Sequence, residues 1–198
     1  MKRRKIWSIL ALAALTGSLL AGCGEVKTEE QTKETKQEEK PAELLVAAAA
    51  SLEYSYEEEL LPMFEKENPN ITVKGTYDSS GKLQTQIEEG ARCDIFFSAA
   101  DKQMDALVDE DLAKKDTVED ILENKVVLIK PKDGETKVTG FENITDAANI
   151  ALAGDSVPVG QYSREIFDNL GITDEVNKME INEGKNVSEV LAAVSEGS

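Results

Sequence analysis

The stretch that most constrains this chain is Leu44-Leu45-Val46-Ala47-Ala48-Ala49-Ala50-Ser51-Leu52. It opens as a continuous apolar run, the pattern of a strand covered on both faces. It closes on Ser51, a residue suited to capping a helix, and Leu52, Tyr56, Leu60 and Phe64 then recur every four positions. That spacing predicts a helix with one core-facing stripe. A buried strand that turns directly into a helix leaves unpaired N–H groups at the corner. The small alanine side chains there allow a close approach to the backbone.

The same grammar returns three more times, at Ser79-Ser80-Gly81, Pro158-Val159-Gly160 and Asn186-Val187-Ser188. Between these corners the pattern alternates. Ile71, Val73 and Tyr77 mark a strand closing on Asp78, after a turn at Asn68-Pro69-Asn70, and Pro62 is expected to kink the first helix. Leu83 and Ile87 lie on one face of a short helix ending at Gly90. A buried strand from Asp94 to Ala99 and a helix carrying Met104, Leu107 and Val108 follow. Lys125 to Pro131 reads as another buried strand, 132–140 as a polar loop, and Phe141 and Ile144 as the approach to a short helix. Ile150 to Ala153 is a further strand. The next helix bears Tyr162, Ile166, Phe167 and Leu170, with Gly171 as its C-cap. A last helical stripe holds Val187, Val190, Leu191 and Val194, with Asn186 and Glu189 at capping-box spacing. Alternating strands and helices predict an α/β fold in two lobes, with mostly parallel sheets flanked by helices. The lobes are expected at 44–123 and 124–198. The chain ends at Ser198 soon after the last stripe, so the second lobe is expected to be incomplete.

The N-terminal region differs in kind. Lys2, Arg3, Arg4 and Lys5 precede an apolar run from Ile6 to Leu20, the layout of a signal peptide over residues 1–22. Leu20-Ala21-Gly22-Cys23 resembles a lipoprotein cleavage box, which implies that Cys23 is the lipidated residue. Residues 23–43 are then lipidated Cys23 and a disordered tether, rich in Glu, Lys, Thr and Gln. Its coil reach is roughly 25 Å.

Composition removes whole classes of chemistry. There is no histidine, which excludes the usual general base, the common serine and cysteine triads, and the commonest zinc ligand. Cys93 has no partner once Cys23 is lipidated, so no internal disulfide forms; a small buried hydrophobe is its expected role. The whole chain carries a net charge of −17, and losing the four positive residues of 1–22 makes it more negative still. Such a surface argues against nucleic acid. The 39 acidic residues offer carboxylate pairs, but none stands at a strand end as acid–base hydrolysis requires.

At the four corners, unpaired N–H groups and positive helix ends point out of the carboxyl ends of strands, where α/β sheets bind ligands. The ordered set Ala48-Ala49-Ala50-Ser51-Leu52, Ser79-Ser80-x-x-Leu83, Asp94-Ile95-Phe96-Phe97-Ser98-Ala99-Ala100-Asp101 and Val157-Pro158-x-Gly160-x-Tyr162 resembles the substrate-binding protein of the bacterial molybdate ABC importer, a type II periplasmic binding protein. The resemblance covers nearly all of 44–198. It implies no catalysis and no cofactor, but capture of molybdate or tungstate, with sulfate or phosphate as the alternative. It further implies delivery to an ABC permease by a monomer held outside the cell membrane by lipid. Carried over by position, Ser51 and Ser80 would donate hydroxyls, and Val159 and Val187 backbone N–H groups. The family has alanine at the position of Val159, and its remaining donor, a tyrosine, falls beyond the last residue here.

The physics of such a site is consistent. A dianion stripped of water costs tens of kcal/mol, on the order of magnitude that ion transfer into apolar media requires. Each hydrogen bond to a charged group returns about 1.5–3 kcal/mol, and each helix start carries roughly half a positive charge. At about 0.15 M salt the Debye length is about 8 Å, so distant carboxylates are screened while donors in contact are not. An all-donor site also favours an anion with no proton to give, since hydrogen phosphate would bury an unpaired O–H. Asp78 is the one nearby carboxylate able to accept it, although a local turn role is expected for it. Lys82 and Lys185 are expected to be solvated.

Overall fold

A computed structural model describes residues 40–197. The signal segment, Cys23 and all but the end of the tether lie outside the described residues.

Two parallel sheets carry the fold. In the first, β1 (Ala42–Ala49) lies between β2 (Ile71–Asp78) and β3 (Ile95–Phe97), with every pairing parallel. In the second, β4 (Asn149–Ala153) pairs with β5 (Glu180–Gly184), also in parallel. Parallel neighbours need crossover connections, and helices supply them. The α/β architecture expected from the alternating pattern is present. β1 is the central strand, and its C-terminal half, Val46 to Ala49, is buried as an apolar strand covered on both faces should be.

The corner after β1 departs from expectation. Ala50–Leu52 forms a 3₁₀ turn before α1 (Glu53–Ser55), and Ser51 makes no capping bond and is exposed. A π-helical turn at Tyr56–Leu60 then leads into α2 (Leu61–Glu67), with Pro62 as its second residue. The expected kink is therefore absorbed as a widened turn just before the proline, which makes room for its ring and its missing N–H. The extra residue per turn also rotates the apolar stripe. Leu52 and Tyr56 face inward, whereas Leu60 and Phe64 are exposed. Tyr56 meets Tyr77 and Phe97 edge-to-face, each at 6.2 Å between centroids, and so covers the sheet.

The other corners form as read. Ser79 caps α3 (Ser80–Glu88), its Oγ accepting the Lys82 N–H. After β3 comes α4 (Asp101–Asp109), which buries Leu107. β3 is an edge strand, so Ile95 is exposed rather than buried, and Cys93 is half-buried, donating its thiol to the Ile95 carbonyl.

Lys125 to Pro131 is not a strand. It runs without regular structure, and Val127, Leu128 and Ile129 are exposed. The apolar run is real, but no described strand lies beside it to complete a ladder. Phe141 and Ile144 fall inside a 3₁₀ segment, Phe141–Asp146, instead of preceding a helix. Ile144 joins Leu152, Phe167 and Val176 in the core of this region. Helix α5 (Pro158–Leu170) ends at Gly171 in the left-handed conformation, as its sequence requires. A short α6 (Thr173–Val176) and β5 were not anticipated, and α7 (Val187–Glu196) completes the described fold. Its Asn186 cap accepts the Glu189 N–H at 2.9 Å, while Glu189 reaches back to the Lys185 N–H instead of that of Asn186.

Candidate functional site

The register of the sheets places the corners. Ala49 stands opposite Asp78, and Ala153 opposite Gly184, so each sheet ends on one level. Helices α3, α5 and α7 start just beyond those levels. Ser51, Ser80, Val159 and Val187 all line one cavity of about 1410 Å³. It is much larger than one small anion because its walls also include the unpaired 124–131 segment and the outer face of α7.

Ser80 is the best-defined donor. It is 1 % exposed, and its Oγ accepts the Ala99 N–H at 2.9 Å. With an acceptor lone pair thus occupied, the hydroxyl is oriented, and no described residue accepts its proton. Ala99 also holds the Asn124 side chain, whose amide donates to its carbonyl at 3.1 Å. Ser51 is the opposite case. It lines the cavity from an exposed 3₁₀ turn, and its hydroxyl has no partner among the described residues.

Val159 and Val187 line the cavity at helix starts. Val159 is the second residue of α5 and Val187 the first of α7, positions whose N–H groups have no intrahelical acceptor. Helix α7 packs against the Ala50–Leu52 turn.

Charged groups around the cavity are mostly committed. Asp78 accepts the Ser79 N–H at 2.8 Å and pairs with Lys82. Burial pushes its carboxyl up, but Lys82, the Ser79 amide and Asn186 outweigh burial and hold it below the usual carboxylate value. It plays the turn role expected of it. Lys82 is solvated apart from that pair. Sequence reasoning missed Lys125, Lys130 and Lys137, which also line the cavity; Lys125 pairs with Glu123 at 3.6 Å, and Lys130 donates to the Gly134 carbonyl at 2.7 Å.

Arg164 was missed as well. Its Nη1 donates to the Ala153 and Gly160 carbonyls at 2.8 and 3.0 Å, and its Nε pairs with Asp155 at 2.8 Å. It ties the β4–α5 turn to the helix that presents Val159. The signal was its place four residues after Gly160, one helical turn along the same face.

Among the described residues no group of three or more Cys, Asp or Glu side chains stands ready for a cation. Hydroxyls and amides at helix starts line the cavity instead, a kind of donor set suited to anions.

Parallel sheets, helices on their faces and donors at strand ends are the layout of α/β proteins that bind a ligand beyond the carboxyl ends of their strands. The chain belongs to the bacterial extracellular solute-binding protein family, whose pattern matches residues 44–198. It is 41% identical over 190 residues to a Bacillus subtilis protein named as an ABC transporter substrate-binding lipoprotein, YvgL, covering 94% of this chain and 70% of that one. It is 35% identical to the molybdate-binding protein ModA of Haemophilus influenzae, covering 77% of this chain and 62% of the relative. Among solved structures, the substrate-binding domain of a molybdenum ABC transporter from Clostridium difficile is 38% identical with a TM-score of 0.56, covering 79% and 68%. The periplasmic molybdate-binding protein of Azotobacter vinelandii shares the fold, with a TM-score of 0.57, 20% identity and coverage of 78% and 67%.

Proposed function

We propose that this chain captures molybdate, and tungstate with it, outside the cell for delivery to an ABC permease. Ser51 and Ser80 would donate hydroxyls and Val159 and Val187 backbone N–H groups, with no reaction catalysed. The lobes 44–123 and 124–198 would close about a hinge near Asn124 to Val126, and lipid on Cys23 would hold the protein to the membrane.

The observation that carries the reading is Ser80. Its buried hydroxyl is positioned by the Ala99 amide, and its proton remains to be shared with a ligand. Relatives named for molybdate support the choice of anion. The state of Asp78 weighs against phosphate. Its carboxylate is already shared between the Ser79 N–H and Lys82, which leaves fewer lone pairs for a protonated oxyanion.

Titration calorimetry of the purified chain against molybdate, tungstate, sulfate and phosphate tests this. Molybdate and tungstate should bind, with phosphate weakest. If phosphate bound best and Asp78→Asn abolished its binding, the molybdate reading would be wrong.

A further inference from the structure

The halves of the cavity touch where one of them has no side chain. Gly81, the second residue of α3, faces the backbone of Ser156 in the β4–α5 turn. A methyl group built on Gly81 overlaps the Ser156 carbonyl oxygen and stands 3.1 Å from its carbonyl carbon and 3.4 Å from its Cβ. No flexible side chain is available to move aside there.

Neither partner has local freedom to give. On one side, Ser79 caps α3 and Ser80 is buried and bonded to Ala99. On the other, the Gly154 N–H donates to the Gly184 carbonyl and the Val157 N–H to that of Gly154, each at 3.0 Å. Arg164 and Gln161 hold Asp155 between these residues. Two braced turns that collide relieve the overlap only by moving apart as bodies. Gly81 adjoins Ser80, and Ser156 lies three residues before Val159. The distance between these turns is therefore the height of the space between the two sets of donors.

We propose that Gly81 is a positioning residue for closure: the absence of a side chain there lets the two halves approach until their donors reach one small anion. This rests on the oxyanion-binding reading but not on which anion is bound. Gly81 itself donates nothing that a substitution would remove, since its amide persists in any variant except proline.

The test uses the full chain carrying Gly81→Ala or Gly81→Val. Alanine is favoured over glycine on helical backbone, so the variant folds, which circular dichroism checks. With Cys23→Ser and Cys93→Ser, spin labels at Glu88→Cys and Asp174→Cys report the separation of the halves both without anion and with saturating molybdate, sulfate or phosphate. The separation should lengthen from glycine to alanine to valine. Molybdate affinity should fall by about tenfold to a hundredfold for alanine, the scale of one overpacked contact, and further for valine. An unchanged label separation overturns the proposal, whether or not affinity falls. If the unsubstituted chain binds none of molybdate, sulfate or phosphate, the oxyanion reading fails; the label separation still decides the role of Gly81 in closure.

Discussion

The two halves of the cavity present donors by different means. The first sheet offers hydroxyls, Ser80 locked by the Ala99 amide and Ser51 unpartnered on an exposed turn. The second offers only backbone, at the first turns of α5 and α7. A hydroxyl site is encoded by one side chain, whereas an amide site is encoded by the whole corner that aims it. The first half is therefore expected to be sensitive to side-chain deletion. The second should tolerate such deletion and fail only when the N–H itself is removed.

The largest effect should come from Ser80→Ala. It deletes a charge-assisted donor, for a binding loss of about 1.5–3 kcal/mol, and also leaves the half-buried Ala99 N–H without its protein partner, for a stability loss of about 1 kcal/mol. Calorimetry and thermal melting would show both. Next is Val187→Pro. Proline is tolerated at the first helical position, and Asn186 already has the extended backbone that a residue before proline needs, at φ −156° and ψ 174°. The helix should persist while anion affinity falls by about one charge-assisted bond, 1.5–3 kcal/mol. Val187→Ala should leave affinity unchanged, and that pair of results separates amide from side chain. Ser51→Ala should weaken binding by about 1.5 kcal/mol, the lower end for such a bond, with no loss of stability, since no protein group is orphaned.

The smallest effect is a pH dependence. Asp78 has a folded value below its unfolded one, so it contributes stability above the unfolded value, and that contribution is lost as pH falls through the folded value. Melting in acid should therefore show a step below about pH 4 that Asp78→Asn removes. If Val187→Ala lost as much affinity as Ser80→Ala, the contrast between the halves would be wrong.

Much of this was legible in the chain because each corner carries its own chemistry. Ser79 and Asn186 cap the helices they precede, and Gly171 ends one where only a left-handed residue fits. Such signals act over four residues and need no distant partner. Lys125 to Pro131 was misread for the converse reason. An apolar run is a strand only when another strand pairs with it, and pairing is not written in the run itself. Ser51 was misread as a cap because the turn tightened into a 3₁₀ form before the helix began. The close approach at Gly81 joins segments far apart in sequence, so no local pattern announces it, whereas the brace at Arg164 is local and its spacing from Gly160 was simply overlooked. β5 did carry a trace, with Ile181 between polar neighbours, but one half-buried side chain is too short a pattern to set a strand apart from a loop.

The most direct measurement is a crystal structure of the chain with molybdate. The anion should lie at the common ends of the two sheets, within hydrogen-bonding distance of the Ser51 and Ser80 hydroxyls and the Val159 and Val187 amides. An anion seated on Lys125, Lys130 or Lys137, with those four donors turned towards solvent, would contradict the claim that uncharged hydrogens from both halves hold it.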